Sequence, residues 1–367
     1  MKIKRILSVI GGIVIVLLLI IAGYFLYVMH QYYRIPDKQP LEIYNPVATA
    51  PLEKGKAYTA VTYNIGFGAY DPEYSFFMET GTMDNGQKTK GKYGKGKDKE
   101  TILKDTNGCA ETVQALSPDF VLIQEMDRDS TRSYHVDQKA IFDTALSDYS
   151  SDYAINFHTA YLMFPLYDPH GASLAGIATY SRWHIEEAVR MSYPIDNSFP
   201  QRYMDLDRCF SVQRLPVKGG KELVLINSHM SAYDKGGKIR KLQLEKLNSF
   251  MQAECDKGNY VIAGGDFNHA LGKEVLTCFP SQEKVPMWAN VLEDSDLASS
   301  MHICKADNEF EIPTCRSSDL PYTKGINYST VIDGFLLSPG ISATAHNISN
   351  DFAYSDHQPV RLSFTLE

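Results

Sequence analysis

Residues 260–268 read Tyr-Val-Ile-Ala-Gly-Gly-Asp-Phe-Asn, and residues 355–360 read Ser-Asp-His-Gln-Pro-Val. In the first stretch a short apolar run meets a glycine pair and is followed at once by a carboxylate and, two places on, an amide. In the second an acid and an imidazole stand just before the chain turns apolar again. Short apolar runs rich in Val, Ile and Tyr predict buried strands. Polar groups where such strands stop lie on loops held by a rigid sheet, which is where active sites gather.

The same punctuation recurs outward along the chain. Tyr58–Tyr63 is followed by Asn64, Phe120–Gln124 by Glu125, and Leu223–Asn227 by Ser228-His229. Asp333 lies inside Val331–Leu337, and Ala175–Tyr180 and 359–365 complete the strand-like runs. Between two of them, Ile239–Met251 carries apolar residues at 239, 242, 247, 250 and 251, on or near one helical face, with Gly258 as a stop. Glu111–Leu116 reads as the end of another helix closed by Ser117-Pro118. Strands mixed with helices imply a layered α/β domain.

The chain has 367 residues, 44% hydrophobic and 22% charged, which excludes the disordered, collagen-like and disulfide-dense classes. Ile6–Met29 is an uninterrupted apolar run, long enough to cross ~30 Å of hydrocarbon. Lys2, Lys4 and Arg5 precede it, and Tyr24, Tyr27, Tyr32 and Tyr33 cluster near its far end. Basic residues favour the cytoplasmic side and aromatic rings the interface. A cleaved signal peptide would have a shorter apolar core and a small-x-small site. The expected layout is a cytoplasmic N-terminus (1–5), a single-pass anchor (6–29), a proline-bearing stalk (30–55) and one extracellular domain (56–367). Setting aside Lys2, Lys4, Arg5 and Arg34 leaves 32 of the 36 Lys/Arg against 44 Asp/Glu, a net charge of −12 outside. An acidic domain is a poor generic partner for polyanions.

The six cysteines form no Cys-x-x-Cys pair, which argues against structural zinc. Cys304 and Cys315 are near enough in sequence to bridge a loop, and free thiols are an equal expectation. Asn327 and Asn347 have the form of glycosylation acceptors. Residues 66–100 lack apolar periodicity, and Lys88–Glu100 holds six Lys against two acids. Gly91–Lys97 fits half of a phosphate loop, yet Asp98 stands where Ser or Thr is needed, so the stretch reads as a solvated loop. Its alternative reading is an electrostatic contact for phosphates or anionic lipid heads.

The strand-end residues form a chemical set. Carboxylate and amide oxygens suit Mg²⁺, which Glu125 would hold with help from Asn64 or Asp356. An Asp beside a His fixes the imidazole tautomer, a role for Asp333 or Asp356 with His357. Asp266 is suited to activating a water and His229 to donating to a phosphate oxygen. Taken singly, each is as well explained by an ordinary hydrogen-bonded or surface residue.

In order, Thr-Tyr-Asn64, Ile-Gln-Glu125, Asn-Ser-His229, Gly-Asp266-Phe-Asn268, Ile-Asp333 and Ser-Asp356-His357-x-Pro-Val resemble the endonuclease/exonuclease/phosphatase superfamily, across about Ala57–Arg361. The resemblance implies two packed mixed β-sheets flanked by helices, a four-layer α/β sandwich. It implies a divalent-metal phosphoesterase using Mg²⁺, with Mn²⁺ or Ca²⁺ as substitutes. Carried over by position, Glu125, Asn64 and Asp356 are metal-side residues. His229, Asp266, Asn268, Asp333 and His357 are the catalytic set. Arg316, Arg208 and Tyr134 are candidates for substrate contact. Superfamily members cleave DNA, RNA, sphingomyelin, inositol phosphates and other phosphoesters, so the implied partner is a phosphoester in nucleic acid, lipid headgroup or small molecule, with no obligate protein partner. The alternative is a catalytically silent binding module on the same fold.

Overall fold

A computed structural model describes residues 2–232 and 237–367. Two mixed β-sheets pack face to face. One has seven strands in the order Gln39–Pro40, Glu187–Ser192, Cys209–Val217, Lys221–His229, Tyr260–Asp266, Asp333–Leu337, His302–Cys304. The other has six, in the order Ile341–Asn347, Val360–Leu366, Ala57–Asn64, Phe120–Asp127, Gly171–Ser181, Ser150–Leu162. Each sheet contains one parallel pair, Lys221–His229 with Tyr260–Asp266 and Ala57–Asn64 with Phe120–Asp127.

The period of two explains the apolar runs. Phe120, Leu122, Leu223, Leu225 and Ile262 point into the core between the sheets. Their neighbours Val121 and Ile123 turn outward beneath the helices Lys99–Leu116 and Gln138–Ala145. Val224, Ile226, Val261 and Ala263 turn outward beneath the helix Lys238–Asp256. A strand covered on both faces has no polar side to show, so its sequence is a continuous apolar run. Helices therefore cover both outer faces, giving four layers. The first of these helices starts at Asp98, whose side chain accepts from Thr101 N, and ends at Ser117 in the left-handed region.

The segment read as a stalk lies along the domain. Gln39 and Pro40 pair with Arg190 and Val189, Tyr44 bridges to Ser151, and Leu52 is buried against the strand ending at Val217. Ahead of it, Lys2–Gln31 is one 30-residue helix whose apolar window is wholly outside the protein core.

The Gly/Lys-rich stretch is packed. Phe67, Tyr70, Tyr74, Phe76 and Phe77 form their own aromatic cluster with Ile102 and Val136, and Tyr93 stacks on Tyr74 at 5.4 Å. Its glycines are there for close approach. A Cβ at Gly91 would lie 1.9 Å from the Phe76 carbonyl oxygen, and one at Gly94 would lie 2.0 Å from that of Asp168. Lys97 pairs with Asp71 at 2.7 Å and Glu73 at 2.9 Å.

All six cysteines are free thiols. Asn327 and Asn347 are buried, their amides donating to the Ser317 and Ile312 carbonyls, so neither is exposed for glycosylation in the folded chain.

Candidate active site

Three neighbouring strands of the seven-stranded sheet end on one line. His229 is in register with Asp266, and Asp266 with Asp333. The glycine pair makes this approach tight, since a Cβ on Gly265 would sit 1.9 Å from the Ser228 carbonyl oxygen. Across the sandwich, Asn64 ends its strand and Glu125 sits in a β-bulge between Ile123 and Met126, with φ of +52°. A bulge re-aims a side chain, and here it brings the Glu125 carboxylate towards the line of strand ends. Ser355–His357 enters from the loop before Val360.

Asp333 and His357 form a buried pair, with Asp333 Oδ2 2.9 Å from His357 Nδ1. Thr314 Oγ1 accepts from the Asp333 backbone N–H and fixes the strand start. Burial alone would lower the His357 pKa, but the Asp333 charge overrides it and holds it well above the usual range. The other ring nitrogen, Nε2, faces Asp266 Oδ2 at 3.8 Å and Asn64 Nδ2 at 3.4 Å.

Asp266 is the hub. Its Oδ2 accepts from Asn64 Nδ2 at 3.0 Å and its Oδ1 from the backbone N–H of Asn268 at 2.8 Å. Burial pushes its pKa up to about 6, although the neighbouring His357 pulls the other way. Asp356 is likewise pushed up to about 6 by burial, against His357 and Arg316. Asn268 sits at φ +50° and its side-chain amide donates to the Met230 carbonyl.

His229 is buried behind Arg208. Arg208 Nη1 is 2.5 Å from His229 Nε2. A guanidinium only donates, so Nε2 accepts and the ring is neutral with its proton on Nδ1. Burial first, then Arg208, pull the His229 pKa well down. Glu125 Oε1 and Asp266 Oδ2 lie 3.7 Å and 3.6 Å from the same nitrogen.

These groups surround a cavity of about 320 Å³, onto which Glu125, Arg208, Asp266, Asn268, Asp356 and His357 open. Arg316 also lines it, but its Nη2 donates to the Tyr70 and Asp71 carbonyls, which ties its head to the aromatic loop. Tyr134 is not brought to the cavity. Its hydroxyl sits 3.1 Å and 3.0 Å from the carbonyls of Gly96 and Lys97 and holds that loop down.

Arg132 and Cys315 were not among the residues that sequence reasoning singled out. Arg132 is buried, grips Asp127 through Nε and Nη2 at 3.1 Å and 2.8 Å, and lines the cavity with its guanidinium over the Phe67 ring. Cys315 Sγ lies 3.7 Å from His357 Nε2. Arg132 is five residues beyond Asp127, the end of the Glu125 strand, and that spacing was the available signal.

Among the described residues, one cluster of acids and imidazole is close enough to share an ion: Asp266, Asp333 and His357. Asn64 turns its NH₂ to the carboxylates and donates to Asp266, while its Oδ1 accepts from the Gly66 N–H.

Residues 61–357 match the Endonuclease/Exonuclease/phosphatase family. The chain belongs to that family. No curated protein matches it in sequence. The fold is shared with solved structures at low identity. An endonuclease/exonuclease/phosphatase from Beutenbergia cavernae DSM 12333 superposes with a TM-score of 0.56 at 17% identity, over 85% of this chain and 72% of that one. TDP2 from Caenorhabditis elegans gives 0.53 at 14% identity, over 85% and 75%. The human Nocturnin catalytic domain, solved with a bound sulfate anion, gives 0.50 at 15% identity, over 90% and 100%. The four-layer α/β architecture of two mixed sheets is thus that of the endonuclease/exonuclease/phosphatase proteins.

Proposed function

We propose that this chain is a divalent-metal-dependent phosphoesterase held on the outer face of a membrane by its N-terminal helix. The observation that carries the reading is the convergence of Glu125, Asp266, Asp356 and the Asp333–His357 pair on one cavity beside Arg208.

Three carboxylates around one cavity, two of them pushed up to about 6 by burial, are a donor set that suits a hard cation. Glu125 and Asp356 would hold Mg²⁺, with Asp266 alongside; Mn²⁺ or Ca²⁺ would substitute. Bound there, the ion would polarise a phosphoryl oxygen and offset the charge developing on it.

The chain's own residues supply the rest. Asp266 takes the proton of an attacking water; a carboxylate raised to about 6 is a better acceptor at neutral pH than an ordinary one. Asn64 and the Asn268 N–H hold its two oxygens in place. His357, kept protonated by Asp333, presents Nε2–H to a phosphate oxygen. Arg208 adds a fixed cation at the cavity wall, with neutral His229 as its acceptor. Asn268 and Arg316 border the space a phosphate would take.

The basic residues before Ile6 and the tyrosines at the far end support an uncleaved anchor with the N-terminus inside. The test is hydrolysis of bis(4-nitrophenyl) phosphate by the detergent-solubilised full chain, with the Asp266→Asn variant beside it. Turnover that the variant lacks supports the reading. Equal turnover in both overturns it.

A further inference from the structure

The end of the N-terminal helix is docked beside the cavity. Tyr24 Oη accepts from the Met163 N–H at 3.1 Å, and Tyr27 Oη accepts from the Tyr161 N–H at 3.2 Å. Phe25 packs on Phe199 at 5.7 Å and Tyr32 edge-on against Tyr203 at 5.1 Å. Just past the helix, Arg34 pairs with Asp207 and donates to the Tyr193 carbonyl at 2.7 Å. The helix therefore meets the domain at a defined depth along its own axis.

That depth places the cavity mouth. Tyr24 is five residues inside Met29, the last residue of the apolar run, about 8 Å at ~1.5 Å per residue. If the run spans the bilayer, whatever touches Tyr24 and Phe25 lies at the boundary between the outer headgroups and the acyl chains, the layer that aromatic residues and interfacial segments occupy. The loop after Tyr161 and the Phe199 turn are those contacts, and both carry bare apolar side chains. Leu166 is 81% exposed, Tyr167 71%, Phe164 66% and Phe199 63%. A cluster of this kind on a domain surface marks an interaction site. Tyr24, Leu162 and Phe164 also line the same cavity as Glu125, Asp266 and His357.

We infer that the cavity opens onto the surface of the membrane that holds the anchor, and that the substrate is a phosphodiester carried by a lipid of that membrane. The inference rests on the phosphoesterase reading above. The apolar loops dip between headgroups, and the lipid phosphate rises past Tyr24 and Phe164 to the carboxylates. In the reaction a water oxygen bonds to phosphorus as one P–O ester bond breaks. One water proton goes to Asp266 and returns to the leaving alkoxide, so a diester and water yield a phosphate monoester and an alcohol, with no redox change.

The experiment uses the full chain in proteoliposomes. The vesicles contain phosphatidylcholine, phosphatidylglycerol, phosphatidylinositol and sphingomyelin, and bis(4-nitrophenyl) phosphate is the soluble probe. Leu166→Trp is compared with Phe310→Trp, whose segment pairs at Ala306 with the opposite edge of the six-stranded sheet. Brominated phosphatidylcholine is expected to quench the tryptophan at 166 at least twofold more than the one at 310. Leu166→Asp with Phe199→Asp is expected to cut lipid hydrolysis at least tenfold and leave soluble hydrolysis unchanged. Equal quenching at the two positions overturns the membrane-facing mouth. Soluble turnover without turnover of any vesicle lipid, or a parallel loss of both in the double variant, overturns the substrate class. Absence of both activities in the unaltered chain counts against the phosphoesterase reading itself and takes the substrate inference with it, while the quenching still decides the mouth.

Discussion

His357 Nδ1 lies 2.9 Å from Asp333 Oδ2, and neither side chain is open to bulk water. The pair joins the loop before the last strand to the strand paired with Tyr260–Asp266, so one ion pair ties both sheets at the site. Replacing Asp333 with Asn keeps the size and one acceptor but removes the charge that keeps the imidazole protonated. The expected result is a fall in kcat of about 10²–10⁴ with little change in KM, the scale set by a mis-tuned acid–base histidine. Steady-state kinetics on a soluble phosphodiester, with circular dichroism to confirm folding, would check this.

Arg208 and His229 make a second, opposite relationship. Burial and then the guanidinium keep the His229 ring neutral, where Asp333 holds the other ring charged. In Arg208→Gln the His229 pKa is expected to rise towards the ordinary range, and turnover to fall about tenfold or more with the loss of a wall cation. The His229 ring resonances in a pH titration by NMR report the first effect independently of the second.

The aromatic loop is predicted to be a structural wall whose glycines cannot be replaced. Gly94→Ala puts a methyl 2.0 Å from the Asp168 carbonyl oxygen, which forces the backbone apart. Overpacking of this kind costs about 1–3 kcal/mol. A lower urea midpoint for Gly94→Ala than for the parent is the outcome expected, and an unchanged midpoint would show that the loop yields freely.

Away from the site, Glu254 accepts from Arg214 Nη2 at 2.7 Å, Lys257 at 2.8 Å and Asn259 at 2.9 Å. Burial would raise its pKa, but these donors outweigh it and hold it down at about 2. A lowered carboxylate pKa stabilises the fold above the unfolded value near 4.5, and that contribution is lost as pH falls towards 2. Glu254→Gln should therefore cost about 1–2 kcal/mol at pH 7, allowing for solvent screening. The gap between variant and parent should narrow between about pH 5 and pH 2, as read by urea denaturation at several pH values.

The central strands were legible because they are covered on both faces, which leaves runs such as Phe120–Gln124 and Tyr260–Ala263 without interruption. The polar ends Asn64, His229 and Asp266 were legible for the same reason, whereas Glu125 lies inside its strand, Phe120–Asp127, at a bulge that the sequence read as the strand's end. The strand Ser150–Leu162 was not legible. It buries Asp152 and Asn156, and Asp152 accepts from Gln213 Nε2 at 2.9 Å, so a polar layer between the sheets replaces the apolar pattern there. Helix Lys238–Asp256 showed through its apolar face, whereas the seat of residues 35–52 along the sheets is set by backbone pairing that prolines conceal. At the site, Asp266, Asp333 and His357 followed from order along the chain. Arg132 is signalled by its spacing of five residues from Asp127 and seated over Phe67, whereas the turning away of Tyr134 follows from loop packing around Gly96, which no spacing encodes.

The phosphoester hydrolysis proposed for this cavity depends on a divalent ion. The most direct measurement is release of 4-nitrophenol from bis(4-nitrophenyl) phosphate by the purified full chain, before and after EDTA, then after adding back Mg²⁺ in excess. Turnover is expected that chelation abolishes, that Mg²⁺ restores, and that Asp266→Asn lacks under every condition. Turnover indifferent to EDTA, or undiminished in Asp266→Asn, would contradict the proposal.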